Sequence, residues 1–277
     1  MNSINCNGHL IDLTVPIVMG ILNVTPDSFY DGGKYNDIGA SFEKAEKMIL
    51  DGATIIDVGG MSSRPGAKII SQKEELERVL PVIKLIREKF PDQVISIDTV
   101  HGNVAKAAID EGASIVNDIS AGSVDPSIIQ VALETKVPYV LMHMQGKPSE
   151  MQDNPTYDNV VMDILSFMKN KIAKLRKDGM VDIILDLGFG FGKTVEQNYE
   201  LLKHMSVFNM LDCPILTGIS RKSMIYKALD ITAEDSLNGT TALHMVALQS
   251  GSKILRVHDV KEAIQAVKLY SLTNNIS

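Results

Sequence analysis

Three apolar runs in this chain each close on a polar residue: Val94-Ile-Ser-Ile-Asp98, Ala113-Ser-Ile-Val-Asn117 and Asp182-Ile-Ile-Leu-Asp186. A carboxylate placed after three or four apolar residues is costly unless it meets hydrogen-bond donors. A flat heterocycle with amino and ring N–H groups would serve all three through charge-assisted bonds, and ion pairs with Arg221 or Lys222 are the alternative. Two cationic turns, Ser220-Arg-Lys-Ser223 and Arg256-Val-His258, follow later apolar runs and point to an anionic, phosphorylated substrate. Beside Arg256, His258 reads as an anion donor rather than a proton carrier, and His143 as a packed, hydrogen-bonded residue. Asp57, Thr99 and Asp118 fit caps of the helices that follow them.

Elements that could bring these residues together recur along the chain. Eight apolar, β-branched runs occupy 16–25, 54–60, 94–99, 114–120, 137–144, 182–188, 214–220 and 253–258, with helical spacing between them. Ile38, Phe42, Ala45, Met48 and Ile49 share one helical face that stops at Gly52. Leu76, Val79, Leu80, Ile83 and Ile86 do the same ahead of Pro91, as do Ile164, Met168, Ile172 and Leu175 ahead of Gly179. Eight alternating βα units predict an α/β chain folded as a closed (β/α)8 barrel, one domain over 1–277 with 1–15 as an N-terminal extension. In such a barrel the C-terminal strand ends converge on one rim, so the polar residues share a site. Leu10, Ile11 and Leu13 could plug the opposite end, and Cys6 sits on a flexible-looking terminus.

Gly188-Phe-Gly-Phe-Gly-Lys-Thr194 invites a phosphate-loop reading that fails, because Leu187 occupies the position where that motif needs its first glycine. What remains is a flexible, close-approach turn whose two Phe could form an apolar wall. The glycine-rich and proline-bearing stretches 25–33 and 59–67 have the composition of lids as well as of surface turns. With 27 Lys and Arg against 34 Asp and Glu, a net charge of −7 disfavours a nucleic-acid-coating or membrane-surface protein. Cys6 and Cys213 have no zinc spacing and read as reduced bystanders. No cation precedes Lys34 and no apolar run is long enough to span a bilayer, so a cytoplasmic protein is expected.

Taken in order, Gly20-Ile-Leu-Asn-Val-Thr-Pro-Asp-Ser-Phe29, Asp31-Gly-Gly33, Ser63-Arg-Pro-Gly66, Ser96-Ile-Asp-Thr99, Asn117-Asp118, Leu141-Met-His-Met144, Asp186, Gly188-Phe-Gly-Phe-Gly-Lys193, Ser220-Arg-Lys-Ser223 and Arg256-Val-His-Asp259 resemble the dihydropteroate synthases. The likeness runs from about Ile17 to about Tyr270. It implies a (β/α)8 homodimer that condenses 6-hydroxymethyl-7,8-dihydropterin diphosphate with p-aminobenzoate, giving 7,8-dihydropteroate and pyrophosphate in folate synthesis. By that resemblance Asp98, Asn117, Asp186 and Lys222 hold the pterin. Asn23, Ser63, Arg64, Arg256 and His258 meet the diphosphate, with Asn23 also a ligand of Mg2+. Phe29, Asp31, Ser63, Arg64, Pro65, Phe191, Lys222 and Ser223 form the p-aminobenzoate pocket, where sulfonamides would bind as mimics. Asp98, Lys222, Arg256 and His258 carry the chemistry. Met61, Ser63 and Leu187 depart from the commoner acidic residue, Thr and Pro of the family, which bears on loop geometry and inhibitor affinity. Two other functions share parts of the pattern. A methyltetrahydrofolate:corrinoid methyltransferase would use the same pterin grip but has no diphosphate for Arg256 and His258, and a non-catalytic pterin-binding paralogue would have lost loop or anion residues.

Overall fold

The computed structural model describes residues 3–25, 34–61, 70–146 and 155–276, with backbone alone for 34–37. It begins with an element that the sequence pattern does not announce, an antiparallel hairpin of β1 (Ser3–Cys6) and β2 (His9–Asp12). The eight apolar runs then form β3 (Ile17–Asn23), β4 (Ile55–Gly59), β5 (Val94–Asp98), β6 (Ile115–Asp118), β7 (Tyr139–Met142), β8 (Ile183–Asp186), β9 (Ile215–Thr217) and β10 (Ser252–Val257). Each pairs in parallel with the next, and β10 returns to β3, placing Arg256 beside Met19 and closing the barrel as the βα pattern predicts.

Nine helices separate or follow these strands among the described residues: α1 (Lys34–Leu50), α2 (Gln72–Lys89), α3 (Gly102–Asp110), α4 (Ser127–Thr135), α5 (Val160–Lys177), α6 (Val195–Lys203), α7 (Ser223–Tyr226), α8 (Leu237–Gln249) and α9 (Val260–Thr273). Their ends follow the sequence. Gly52 and Gly179 take left-handed backbone, φ +102° and +100°, just beyond α1 and α5. Asn159 caps α5, and Thr194 opens α6 with Gln197 in a reciprocal capping box.

Alternation along the strands sorts the side chains. One set, including Val18, Ile56, Ile95, Val116, Tyr139, Ile183, Ile215 and Leu255, faces the helices and forms the larger core with Val79, Ile83, Ile164, Met168 and Leu201. The other set points inward. At the N-terminal end it gives one residue per strand, Met19, Ile55, Val94, Ile115, Val140, Ile184, Leu216 and Ile254, packed on Ile4, Cys6, Ile11 and Leu13 of the N-terminal segment. The hairpin therefore closes the barrel floor, but the plug differs from expectation. Leu10 is 68% exposed, whereas Cys6 is buried in a strand rather than on a loose terminus. Period-two alternation from Ile11 and Leu13 carries Leu10 to the solvent side. Burial pushes the Cys6 thiol up to about 12, with the charge of Asp182 adding to the shift, so Cys6 packs as an inert thiol.

Candidate active site

Above the apolar floor, the same inward parity turns polar. Two residues beyond Ile55 comes Asp57, and two beyond Ile115 comes Asn117; Ile184 leads in the same way to Asp186, and Ile254 to Arg256. Asp98 lies four beyond Val94. Asp57 Oδ2 accepts hydrogen bonds from Arg256 Nε at 2.6 Å and from Asn117 Nδ2 at 2.9 Å, while Arg256 Nη2 donates to Asp98 Oδ2 at 2.6 Å. Asp186 Oδ1 accepts from the Gly188 N–H at 2.7 Å. A Cβ placed on Gly218 would lie 3.8 Å from Lys222 Nζ, 3.9 Å from Asp186 Oδ2 and 4.0 Å from Arg256 Cβ, so these three residues surround one point of the barrel mouth. Lys222 Nζ sits 4.5 Å from the centroid of the Phe191 ring and donates to the Phe189 carbonyl.

Crowding of charge in a dry pocket shifts its titrations. Burial raises the Asp98 carboxyl to about 7; the Arg256 guanidinium opposes that rise, and Asp57 and Glu75 add to it. Burial lowers the Lys222 ammonium to about 8, against the attraction of Asp186. For Arg256 burial would lower the pKa, but Asp57 and Asp98 more than offset it and keep the guanidinium charged. The site thus holds a fixed cation, a carboxyl poised near neutrality and an amine that gives up its proton more readily than an exposed lysine.

Comparison with known proteins reinforces this geometry. Residues 19–258 match the family model described as pterin binding enzyme. The chain is 42% identical over 271 residues to the dihydropteroate synthase of Haemophilus influenzae, covering 97% of this chain and 98% of that protein. It is 44% identical over 268 residues to the Escherichia coli dihydropteroate synthase, covering 96% and 94%. The chain belongs to the dihydropteroate synthase family. Solved family structures agree in fold: the Yersinia pestis synthase with a sulfonamide drug complex superposes with a TM-score of 0.93 at 40% identity over 99% of each chain. The Xanthomonas albilineans synthase in complex with 7,8-dihydropteroate does so with a TM-score of 0.89 at 33% identity, over 99% of this chain and 100% of that one.

Within this synthase-family barrel the structure brings together Asp98, Asn117, Asp186, Lys222, Arg256 and Phe191. Asn23, half-buried, ends β3 beside Gly59 of β4. Exposed His258 lies just past β10; Ser220 Oγ is 3.1 Å from its Nδ1 and accepts from its backbone N–H at 3.2 Å. Half-buried Ser223 opens α7 immediately after Lys222. Phe29, Asp31, Ser63, Arg64 and Pro65 lie outside the described residues, as does most of the two expected lid stretches.

Several sequence expectations need correction. The cation that pairs with Asp98 is Arg256, not Arg221 or Lys222. Arg221, at a left-handed turn of φ +54°, instead donates to both oxygens of Asp259 at 2.8 and 2.9 Å and to the carbonyls of Ala233 and Glu234. Asp57 caps no helix. It is fully buried and braces Arg256 and Asn117, and the alternation after Ile55 was the signal that could have found it. Asp118, of the opposite parity, accepts from the Ser120 and Gly122 N–H groups and from the Tyr139 hydroxyl, each at 2.7 Å, so it builds a turn rather than a helix cap. Thr99 Oγ1 accepts from the His101 N–H at 3.2 Å, just before α3. The two Phe of the glycine turn part company, because Phe189 is wholly buried in the outer core and only Phe191 lines the mouth, with Val100, Ile119 and Met142. His143 is packed as expected, edge-on to Phe167 with ring centroids 4.9 Å apart, and burial lowers it to about 3 with Lys193 adding to the shift.

Proposed function

We propose that the chain condenses 6-hydroxymethyl-7,8-dihydropterin diphosphate with p-aminobenzoate, forming 7,8-dihydropteroate and pyrophosphate. The observation that carries this reading is the inward ring of Asp98, Asn117 and Asp186 around Lys222 and Arg256, in a chain that matches dihydropteroate synthases over nearly its whole length. The acids and the carboxamide present acceptors to the amino and ring N–H groups of a pterin, and Lys222 presents a donor to its carbonyl side.

In the reaction, the C–O bond between the pterin methylene and the diphosphate breaks first, and the electron pair leaves with pyrophosphate. The cation left on the methylene is delocalised into the pterin ring. The aryl amine of p-aminobenzoate attacks it and then loses a proton to solvent. The chain supplies preorganised charge rather than a covalent nucleophile. Arg256, held by Asp57 and Asp98, cannot swing freely, and so presents a fixed face to the ring and the leaving group. Asp98, when ionised, favours the cation. Exposed His258, with buried Ser220 against its Nδ1, lies just past β10, where the leaving group would depart.

Asn23 offers a hard carboxamide oxygen, and no group of three His, Cys, Asp or Glu side chains suited to a metal occurs among the described residues. That donor set fits Mg2+ held jointly by Asn23, the substrate's diphosphate oxygens and water. When bound there, Mg2+ neutralises diphosphate charge. The reading also makes this a cytoplasmic homodimer open to sulfonamide inhibition. Val246 on α8 and Leu269 and Leu272 on α9 are 39%, 59% and 68% exposed, apolar surface that a second copy would cover. Among the described residues no helix is long and apolar enough to cross a membrane.

Pyrophosphate release tests the function directly. Purified protein with Mg2+ and dihydropterin diphosphate should release pyrophosphate only when p-aminobenzoate is added, with dihydropteroate formed in equal amount. Saturable pterin binding with no product would leave a binding protein instead. Within the synthase reading, Lys222→Ala removes the ammonium above Phe191 and its bond to the Phe189 carbonyl. It is expected to raise KM for the pterin substrate and lower kcat together, reducing kcat/KM by about ten- to a hundredfold. Unchanged steady-state kinetics would remove Lys222 from the site.

A further inference from the structure

Lys193 ends the glycine turn, and the chemistry above makes no use of it. Its side chain is 3% exposed, yet it carries an ammonium with no ion pair among the described residues. Its Nζ donates to the carbonyls of Gly188 at 2.8 Å and Phe191 at 3.1 Å. It also lies 3.3 Å from His143 Nδ1 and 3.5 Å from the His143 carbonyl. Burial lowers Lys193 to about 7, with Asp186 opposing and Lys222 adding to the shift. A buried ammonium answered mainly by carbonyl dipoles destabilises the fold relative to an apolar side chain of the same length.

The turn it closes explains why a cation stands there. Gly188, Gly190 and Gly192 all take left-handed backbone, at φ +67°, +80° and +60°, and glycine so placed has many alternatives open to it. Several ties select one of them: Asp186 Oδ1 accepts the Gly188 N–H at 2.7 Å, the Tyr157 hydroxyl donates to the Gly192 carbonyl at 2.9 Å, and Asn198 and Lys193 add the rest. Asn198 Oδ1, at the start of α6, accepts the Gly190 N–H at 2.7 Å, and Lys193 gathers the carbonyls at both ends of the turn. In the selected conformation the Phe189 carbonyl accepts from Lys222 Nζ and the Phe191 ring lies beneath the same atom. A Cβ on Gly190 would approach Lys222 Cδ at 3.1 Å, so the turn and the Lys222 side chain are packed in contact.

We propose that Lys193 is a positioning residue for substrate binding: its ammonium clamps the Gly188–Gly192 turn, and the turn holds Lys222 and Phe191 in place for the pterin. The proposal rests on the synthase reading and adds a residue to it. The charged and titratable groups facing Lys193 are His143 beyond β7, Asp186 at the end of β8 and Lys222 ahead of α7.

The test compares wild type with Lys193→Met and Lys193→Gln in the coupled pyrophosphate assay and by thermal unfolding. The Met variant keeps most of the length and removes the amine. It is expected to raise KM for the pterin diphosphate by about tenfold while kcat changes by less than about threefold, with Tm unchanged or higher. The Gln variant, whose amide can donate to one carbonyl, should recover part of the KM. Wild-type KM in a folded Met variant overturns the proposal, as does a fall in Tm with KM unchanged. Should the Met variant not fold, wild-type KM in the Gln variant overturns it equally. If wild type itself makes no product, the synthase reading fails; calorimetric pterin binding in the same proteins then still decides whether the clamp exists.

Discussion

Arg256→Met is expected to damage both stability and turnover. The guanidinium is the shared partner of Asp57 and Asp98, and removing one member of a buried ion network leaves charge without compensation, at a typical loss of about 3–5 kcal/mol. The loss should depend on pH in a defined direction. Asp98 already titrates in the folded protein at about 7, up from 3.8, so the folded state holds the extra proton. Stability falls as pH rises across that interval and does not fall further above it. Without Arg256 the interval extends upward, because the group that favours the ionised form is gone. Urea unfolding should therefore show a larger deficit at pH 8 than at pH 6, and adding Asp57→Asn should recover part of it. Equal deficits at both pH values would mean that the network is not ionised as described. Turnover should drop by about a thousandfold or more, since the variant loses both the fixed cation and the placement of Asp98.

Asp98→Asn separates charge from shape. The carboxamide fills the same space and can still accept from Arg256 Nη2, which removes the anion while leaving most of the packing. If an ionised Asp98 favours the pterin cation, kcat/KM should fall by about a hundred- to a thousandfold, with little change in Tm. The pH profile provides the sharper reading. In wild type, kcat/KM should decline as pH falls through about 7, where the buried carboxyl takes up its proton. The Asn variant should lack that limb. An acid limb that persists unchanged would assign the titration to another group and leave Asp98 as a neutral hydrogen-bond partner.

These expectations draw on features with different visibility. The βα alternation, the eight strand positions and the glycine stops of α1 and α5 were legible because they depend on local periodicity and on backbone preferences of single residues. So were Asp98, Asn117 and Asp186 as polar ends of apolar runs. Their partners were not. Asp57 and Arg256 are 199 positions apart, and they meet only because β10 closes onto β3 and β4 lies next in the ring. The sequence offers Arg221 or Lys222 as ion-pair partners of the buried acids, but the left-handed turn directs Arg221 to Asp259 instead. The Gly188–Lys193 stretch was read as flexible because its composition is permissive. Its observed conformation is held by tertiary hydrogen bonds, among them those of Lys193, Asn198, Asp186 and Tyr157.

The amino-acid order by itself determined the barrel, the end of the barrel at which polar chemistry collects, and the resemblance that the family comparison bears out. Tertiary structure alone decided which inward residues touch, which of the two Phe lines the mouth, and how the N-terminal hairpin seals the floor with Ile4 and Cys6. The physical reason is one of range. Strand and helix periods repeat within a few residues and can be read along the chain, whereas an ion pair or a packed ring is fixed by the register of strands brought together across barrel closure.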